Sequence, residues 1–387
     1  MSEESYSEVS SKSWFSRIRD AITGVLFGLV LFIVAFPVLF WNEGRAVKTY
    51  KTLKEGGNAV VAVVSERVDP VTAGKLIHVT AKADTEVTLV DPVFKVAAKA
   101  LKLRRVVEMY QWKETTEKKT KDKLGGGTET VTTYSYNKTW SGSLINSSNF
   151  KKSTEHPNPS AMPYESTQQV AQKITFGAFI LSPSLAGKIN NDEPLSLGNE
   201  TNIPEALKEK IKLSGSGFYI GTDPASAQIG DTRVTFKVVN PTEVSIIAKQ
   251  IGNTFEPYST QSGGTIELLQ TGVHSAAEMI QKAQADNSVL TWVIRLVGFV
   301  IMFLGLTLVL KPLSVVADVV PILGDVMGVG TGFIAFLISA VLSLTTIAIA
   351  WIVYRPLLGG ILIVAAFGLI VVIKNKLIAV QTSTKQQ

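Results

Sequence analysis

Residues 21–41 read AITGVLFGLVLFIVAFPVLFW, an apolar run of 21 residues near the N-terminus. A helix of about 20 apolar residues is long enough to cross the hydrocarbon core of a bilayer. From Val289 onward the chain is again mostly apolar, whereas the stretch between these two blocks is polar. The sequence therefore predicts an integral membrane protein with a large domain outside the membrane.

Composition excludes several classes of function. The 387-residue chain contains no cysteine, which rules out disulfides, thiolate metal sites and thiol redox chemistry. The net charge of +6 is not gathered into a basic cluster with aromatic residues, so we expect no nucleic-acid partner. His78, His156 and His274 show no metal-binding spacing, and no GxSxG motif occurs. We expect no catalytic residue, no metal and no cofactor, although a histidine paired with a distant serine stays open.

The apolar blocks divide into four predicted transmembrane helices, at residues 21–41, 289–310, 333–353 and 357–373. Lys311-Pro312 is predicted to close the second span, and Tyr354-Arg355-Pro356 to form a tight turn between the last two. Residues 311–332 are less hydrophobic and are broken by Pro321 and several glycines. This stretch is predicted to be either an interfacial helix or a segment that re-enters the membrane.

Basic residues near the spans predict the orientation, because short cytosolic segments carry an excess of lysine and arginine. With four spans both termini share one side, and that side carries Lys12, Arg17, Arg19, Lys311, Lys374 and Lys376. We therefore predict that the tails, residues 1–20 and 374–387, are cytosolic. The central domain is then periplasmic in a bacterial inner membrane. In the alternative, it is lumenal in the endoplasmic reticulum and inner nuclear membrane.

The central segment, residues 42–288, is predicted to be β-rich because valine-rich and alternating runs are bounded by glycine, proline and aspartate. The clearest hairpin joins residues 106–114 to residues 130–140 around the glycines at 125–127. Residues 230–237 faintly echo residues 74–79, which predicts two related β units. The predicted fold class is thus an α+β membrane protein: four transmembrane helices and a large β-rich extramembrane domain.

Three charged residues near the membrane are the candidate functional sites. Arg295 lies inside the second span, where its side chain either reaches back to the interface or serves a function within the membrane. Asp318 and Asp325 are seven residues apart, so on a helix they share a face. Both acids lie in water if residues 311–332 are interfacial. They would instead mark an ion or proton path if that segment re-enters the membrane.

Several motifs, in order along the chain, resemble the transmembrane protein 43 (LUMA) family. They are Asn42-Glu43-Gly44-Arg45-Ala46, residues 102–112 (KLRRVVEMYQW), Tyr134-Ser135-Tyr136-Asn137, Asn158-Pro159-Ser160-Ala161-Met162, Gly230-Asp231-Thr232-Arg233-Val234 and Pro257-Tyr258-Ser259-Thr260. The resemblance covers residues 20–375. It implies four spans, a large non-cytosolic domain and self-association. It also implies a link to lamins and emerin in animal members, and it carries no catalytic residue.

The missing cysteines and short tails predict a bacterial member, for which lamin partners do not apply. The leading hypothesis is a non-enzymatic scaffold that self-associates in the lipid bilayer and organises other membrane proteins. One alternative is an oligomeric cation channel or transport component, a role also proposed within the family, with Arg295, Asp318 and Asp325 lining its path. Another is a lipid-handling β domain held beside the membrane.

Overall fold

The computed structural model of the protein describes residues 4–197, 211–214, 217–318 and 321–356. The chain forms two compact units. Unit 1 comprises Met1–Ser10, Thr52–Lys119 and Thr130–Lys282, and unit 2 comprises Ser11–Lys51, Thr120–Glu129 and Ala283–Gln387. The β-rich architecture belongs to unit 1, and most of the apolar helical sequence belongs to unit 2.

Three of the helices in the described residues are long and one is short. The helices are α1 (Trp14–Ala59), α2 (Pro183–Lys188), α3 (Ala276–Ala317) and α4 (Pro321–Tyr354). The long helices contain the candidate membrane spans of the described chain, in Trp14–Ala59, Ala276–Ala317 and Met327–Tyr354. Only 17–22% of the apolar window of each is buried, which leaves surface for lipid contact. The fourth predicted span, residues 357–373, lies outside the described residues.

The helix ends follow local sequence signals, but the helices are longer than the predicted spans. Ser275 and Glu278 form a capping box before α3: the Ser275 amide donates to Glu278 Oε2 at 2.7 Å, and the Glu278 amide donates to Ser275 Oγ at 3.3 Å. At its other end α3 continues through Lys311 and Pro312 to Ala317, and α4 then begins at Pro321. Proline is well placed there because the first helical turn needs no amide donor. Residues 311–317 and 321–332 thus extend two long helices.

The described residues contain short strands and a few long ones. The strands are β1 (Glu4–Lys12), β2 (Val61–Ala62), β3 (Leu76–Asp84), β4 (Thr88–Val90), β5 (Ala97–Lys99), β6 (Lys102–Asp122), β7 (Thr128–Ser141), β8 (Thr167–Val170), β9 (Thr175–Phe176), β10 (Phe179–Ile180), β11 (Glu193–Pro194), β12 (Ile211–Ser214), β13 (Gly217–Ile220), β14 (Thr232–Val239), β15 (Thr242–Ile251), β16 (Thr254–Glu256), β17 (Tyr258–Ser259), β18 (Thr265–Ile266) and β19 (Leu268–Thr271).

Most of these strands form two sheets that share one hydrophobic core. The first sheet has the order β1-β7-β6-β14-β13-β12, with β8 and β11 attached to β6 and β14. The second has the order β10-β9-β3-β15-β16, with β2 and β19 attached to β3 and β15. Val107 and Phe236 of the first sheet and Val79 and Ile246 of the second are fully buried in the same cluster. The predicted β-rich domain is therefore confirmed.

A buried ion pair holds the edge of this core. Arg105 Nη1 donates to both carboxylate oxygens of Asp91 at 2.9 Å, and both side chains are almost fully buried. Asp91 Oδ1 also accepts the amide of Phe94 at 2.8 Å, and the Arg105 guanidinium lies 5.4 Å from the centre of the Phe94 ring. The second arginine of the KLRRVVEMYQW motif therefore fixes the loop before β5.

The predicted hairpin is present and extends beyond the predicted boundaries. Strand β6 continues through the charged segment to Asp122, and Gly125 and Gly126 adopt positive φ angles of 89° and 75° in the turn. Glycine favours this left-handed region because it has no Cβ atom. Tyr110 and Trp140 contact each other with ring centroids 5.1 Å apart, as expected for facing aromatic residues on paired strands.

The strands of the two predicted β units pair crosswise. Strand β3 pairs with β15 from Leu76 opposite Lys249 to Ala83 opposite Thr242. Strand β6 pairs with β14 from Lys102 opposite Val239 to Met109 opposite Thr232. In the predicted repeat, β3 corresponds to β14 and β6 corresponds to β15. Each of the two β repeats then supplies one strand to each sheet. This is the pairing expected of two related β repeats that exchange strands. The duplication itself stays a prediction.

Candidate functional site

A buried carboxylate joins the three long helices within unit 2. Glu43 of α1 is fully buried, and it accepts hydrogen bonds from Arg295 Nε at 2.6 Å and from Arg295 Nη2 at 2.8 Å. The indole nitrogen of Trp351 in α4 donates to Glu43 Oε2 at 2.8 Å. A carboxylate that is buried needs such donors, because burying an unpaired charge is costly. Three donors satisfy Glu43, and they tie α3 and α4 to α1.

Aromatic rings flank the arginine of this pair. The Arg295 guanidinium lies 4.6 Å from the ring centre of Trp292 and 5.7 Å from that of Trp351. Stacking of a guanidinium on a ring adds a favourable interaction with the ring face. The side chain of Arg295 is only 12% exposed, so it is fixed in position by Glu43 and the rings.

A second polar layer lies next to the ion pair, again between α1 and α3. Asn42, which is fully buried, donates through Nδ2 to the carbonyl oxygen of Thr291 at 3.0 Å. Arg45 donates to Asn287 Oδ1 and to Thr291 Oγ1, both at 3.0 Å. Asn287 in turn donates to the carbonyl oxygen of Ala46 at 3.1 Å. Polar side chains that bond across helices stabilise their association in membranes.

Gly44 completes the first motif by leaving room for an aromatic ring. A Cβ atom at this position would lie 2.6 Å from Cζ of Tyr354, which is closer than side chains approach each other. The Tyr354 ring packs instead against Phe40, with centroids 5.2 Å apart. The sequence Asn42-Glu43-Gly44-Arg45 is therefore a polar part of α1 that contacts both α3 and α4.

The position of Arg295 was predicted, but its partner was missed. The sequence predicts that Arg295 either reaches back to the interface or serves a function within the membrane, and in the structure it pairs with Glu43. A signal was available: both residues lie near the same end of their spans, one just after residue 41 and one shortly after residue 289. A basic residue and an acidic residue at one membrane depth are expected to pair.

The second candidate, Asp318, lies at the end of α3 near the start of α1. Its carboxylate accepts a hydrogen bond from Arg17 Nη2, and the Asp318 side chain is 8% exposed. Trp14 Nε1 donates to the nearby carbonyl oxygen of Val315 at 2.9 Å. The structure therefore pairs Asp318 within the protein and keeps it away from Arg295. Asp325 lies outside the described side chains.

Arg17 also contacts the turn of the long hairpin, whose residues 120–129 belong to the same unit. Arg17 Nη1 donates to the carbonyl oxygen of Gly126 at 2.6 Å and lies 3.2 Å from Asp122 Oδ1. The predicted orientation puts Arg17 in the cytosol and Asp122 on the opposite side of the membrane. Strands rich in lysine and glutamate do not lie in lipid. The contact and the predicted orientation therefore exclude each other in one bilayer.

The histidines occupy structural positions in unit 1. His78 Nε2 bonds to the carbonyl oxygen of His274 at 2.8 Å, and His274 Nε2 bonds to that of Thr271 at 3.0 Å. The buried His156 ring stacks on Tyr136 with centroids 3.8 Å apart. Burial, together with the hydrogen bond to Glu114, raises the pKa of Tyr136 to about 12. Among the described residues, no group of three or more histidine, aspartate or glutamate side chains is placed to hold a metal ion.

The comparisons with known proteins agree with the motifs. The family model described as transmembrane protein 43 matches residues 109–356. Transmembrane protein 43 of Rattus norvegicus is 38% identical over 90% of this chain and 89% of its own length, and the Homo sapiens protein is 37% identical over 90% and 88%. The Drosophila melanogaster homologue is 32% identical over 88% and 91%. No solved structure matches.

Identity at this level extends over nearly the full length of both chains, so the likeness is not confined to one domain. The residues matched by the family model include most of the hairpin, the strands that follow it and the whole of helices α3 and α4. The chain belongs to the transmembrane protein 43 family.

Proposed function

We propose that this protein is a non-enzymatic, multi-pass membrane scaffold that self-associates and organises other membrane proteins through its β-rich domain. The observation that carries the proposal is the Glu43 cluster. Glu43 accepts hydrogen bonds from side chains of both α3 and α4, so the three long helices form a fixed anchor. The charge of Glu43 is compensated by Arg295 within the same chain. An anchor of this kind suits a protein whose working surface is the domain outside the membrane.

The proposed topology has four spans, cytosolic termini and a non-cytosolic central domain in a bacterial inner membrane. Its support is the excess of basic residues beside the spans, together with the lack of cysteine. The contact between Arg17 and the hairpin turn speaks against this orientation, so labelling from each side of the membrane has to decide.

Self-association is the part of the proposal that can be tested most directly. Val273 is 72% exposed in unit 1, and the chain has no native cysteine, so Val273→Cys gives a single labelling site. Protein labelled with donor and protein labelled with acceptor are mixed in liposomes at a low protein-to-lipid ratio. We expect energy transfer that falls when excess unlabelled protein is added. Absence of transfer from well-folded protein would contradict the scaffold proposal.

The channel alternative requires charges that are available to a passing ion. Arg295 and Asp318 are each paired with another residue of the same chain, which weakens a path through them. The deciding measurement is cation flux into liposomes that contain the wild type or the Asp318→Asn, Asp325→Asn double variant. We expect no flux from either. Flux that the double variant abolishes would favour the channel over the scaffold.

A further inference from the structure

A cavity of about 210 Å³ opens in unit 2 beside the Glu43 cluster. Its wall contains Tyr50 of α1, Asn287 and Trp292 of α3, and Trp351 and Arg355 at the end of α4. This volume is below the range of about 300–1,000 Å³ that is typical for whole drug-sized ligands. The cavity is therefore suited to the small polar group of a larger ligand, the rest of which lies outside the cavity.

The cavity has an excess of positive charge. Arg295 and Arg355 line it, and no carboxylate does so among the described residues. Glu43 compensates Arg295. Arg355 lies 5.7 Å from the ring centre of Trp351, and no ion pair of Arg355 is found in the described part of the chain. Within the described part of the chain, the neighbouring Arg45 bonds only to neutral oxygens, and its buried Nε has no partner there. The site therefore favours an anion.

The surroundings of the cavity are those of a membrane interface. Trp292 is 66% exposed at its edge, and tryptophan prefers the level of the lipid head groups. On the same helix the exposed side chains of Val293 and Leu296 extend an apolar surface toward the middle of the span. A ligand with its anionic group in the cavity would therefore lay its apolar part along α3.

We propose that this cavity binds the phosphate of an anionic phospholipid, with Arg355 as the main contact and the acyl chains lying on the apolar face of α3. Arginine binds phosphate oxygens through paired N–H groups, and basic pockets between transmembrane helices take up anionic head groups. Asn287 and Tyr50 supply additional polar groups in the wall. The proposal goes beyond the scaffold role and does not depend on it.

The test measures lipid binding to the full chain after removal of native lipid. Native mass spectrometry follows titration with phosphatidylglycerol and with phosphatidylcholine of the same acyl chains. We expect phosphatidylglycerol to bind more tightly. Arg355→Gln should lower its affinity about tenfold, which corresponds to about 1.4 kcal/mol. Phosphatidylcholine also carries a phosphate, but its choline ammonium opposes binding at a cationic site, so its weaker binding should change less. Ser288→Phe, which narrows the cavity without a change in charge, should weaken phosphatidylglycerol binding as well.

The matched control is Arg19→Gln, which removes the same charge from an exposed position at the other end of the first apolar run. It should bind phosphatidylglycerol like the wild type. Equal binding of both lipids would overturn the proposal, as would unchanged binding in Arg355→Gln and Ser288→Phe or an equal loss in Arg19→Gln. A final arm adds inorganic phosphate, which we expect not to displace the lipid. If it binds as tightly as phosphatidylglycerol, the ligand is a soluble anion and the lipid assignment fails.

Discussion

The side chain of Glu43 shows how a single residue can hold several helices together. Removing a carboxylate from water costs several kcal/mol, and only close, well-directed donors compensate for that cost. Arg295 and Trp351 supply these donors from two other helices. Loss of either member of the Glu43–Arg295 pair is therefore expected to destabilise the protein, because the other charge then stays buried without a partner.

We predict that Glu43→Gln lowers the free energy of unfolding by about 3–5 kcal/mol, because it leaves the Arg295 charge buried and unpaired. Replacement of both residues, Glu43→Gln with Arg295→Met, should cost less than the sum of the two single changes. Thermal unfolding in detergent micelles measures the stability of Glu43→Gln, of Arg295→Met and of the double variant.

The control for this prediction is the exposed pair of Lys12 and Asp20, whose side chains are 61% and 54% exposed. Solvent screens exposed pairs, so they contribute little to stability and Asp20→Asn should have little effect. Equal effects of Glu43→Gln and Asp20→Asn would show that the Glu43 cluster does not hold the helices.

At the scale of elements, α1 and α3 cross at two glycines. A Cβ atom on Gly28 would lie 2.7 Å from the carbonyl oxygen of Gly305, and a Cβ atom on Gly305 would lie 2.6 Å from the amide nitrogen of Phe32. Small residues allow transmembrane helices to approach this closely, since lipid gives no hydrophobic drive for their association. The sequence contains many glycines, and only the packed structure shows which of them are contact points.

We predict that Gly28→Leu separates α1 from α3 and lowers the free energy of unfolding by about 1–3 kcal/mol, the usual cost of overpacking. Gly24 lies one turn away on the same helix, and a Cβ atom there meets nothing within 4 Å. Gly24→Leu should therefore be neutral or slightly stabilising, since leucine favours helix more than glycine does. Thermal unfolding in micelles compares the two. A similar loss in both would mean that the crossing at Gly28 does not form.

The strands show where sequence patterns stop being sufficient. Alternation of buried and half-buried residues marks the first half of β6. The continuation of this strand through the charged residues 115–122 depends on pairing with β7. Strand β6 pairs with β14, and strand β3 pairs with β15. In both pairs the facing residues are more than 120 positions apart in the sequence. Strand order depends on which surfaces meet in the core, and a local pattern does not contain that information.

For the whole molecule, the open question is the side of the membrane on which each segment lies. The basic residues beside the spans predict that the start of α1 is cytosolic and that the central domain lies on the opposite side of the membrane. The contact of Arg17 with Gly126 places the hairpin turn beside the start of α1. In a bilayer only one of these arrangements is possible.

Single cysteines decide between them, because the chain has no native thiol. We expect Asp122→Cys and Val273→Cys to react with a membrane-impermeant maleimide on one side of sealed vesicles, and Ser13→Cys on the other. Cysteine-free protein is the blank, and detergent-opened vesicles give full labelling. Reaction of Ser13→Cys and Asp122→Cys from the same side would mean that the hairpin turn and the start of α1 share one side of the membrane, as their contact requires, and the predicted orientation would be wrong.

The membrane class of the protein, its β-rich central domain and its family can be identified from the order of its residues alone. Membrane spans, alternating strands and family motifs are all patterns of residues that lie close together in the sequence, so they can be identified without a structure. The pairing of Glu43 with Arg295, 252 residues away, and with Trp351, 308 residues away, is visible only in the folded protein. Such pairing depends on which faces of separate helices pack together. For the same reason the structure was needed to find the cavity beside Arg355.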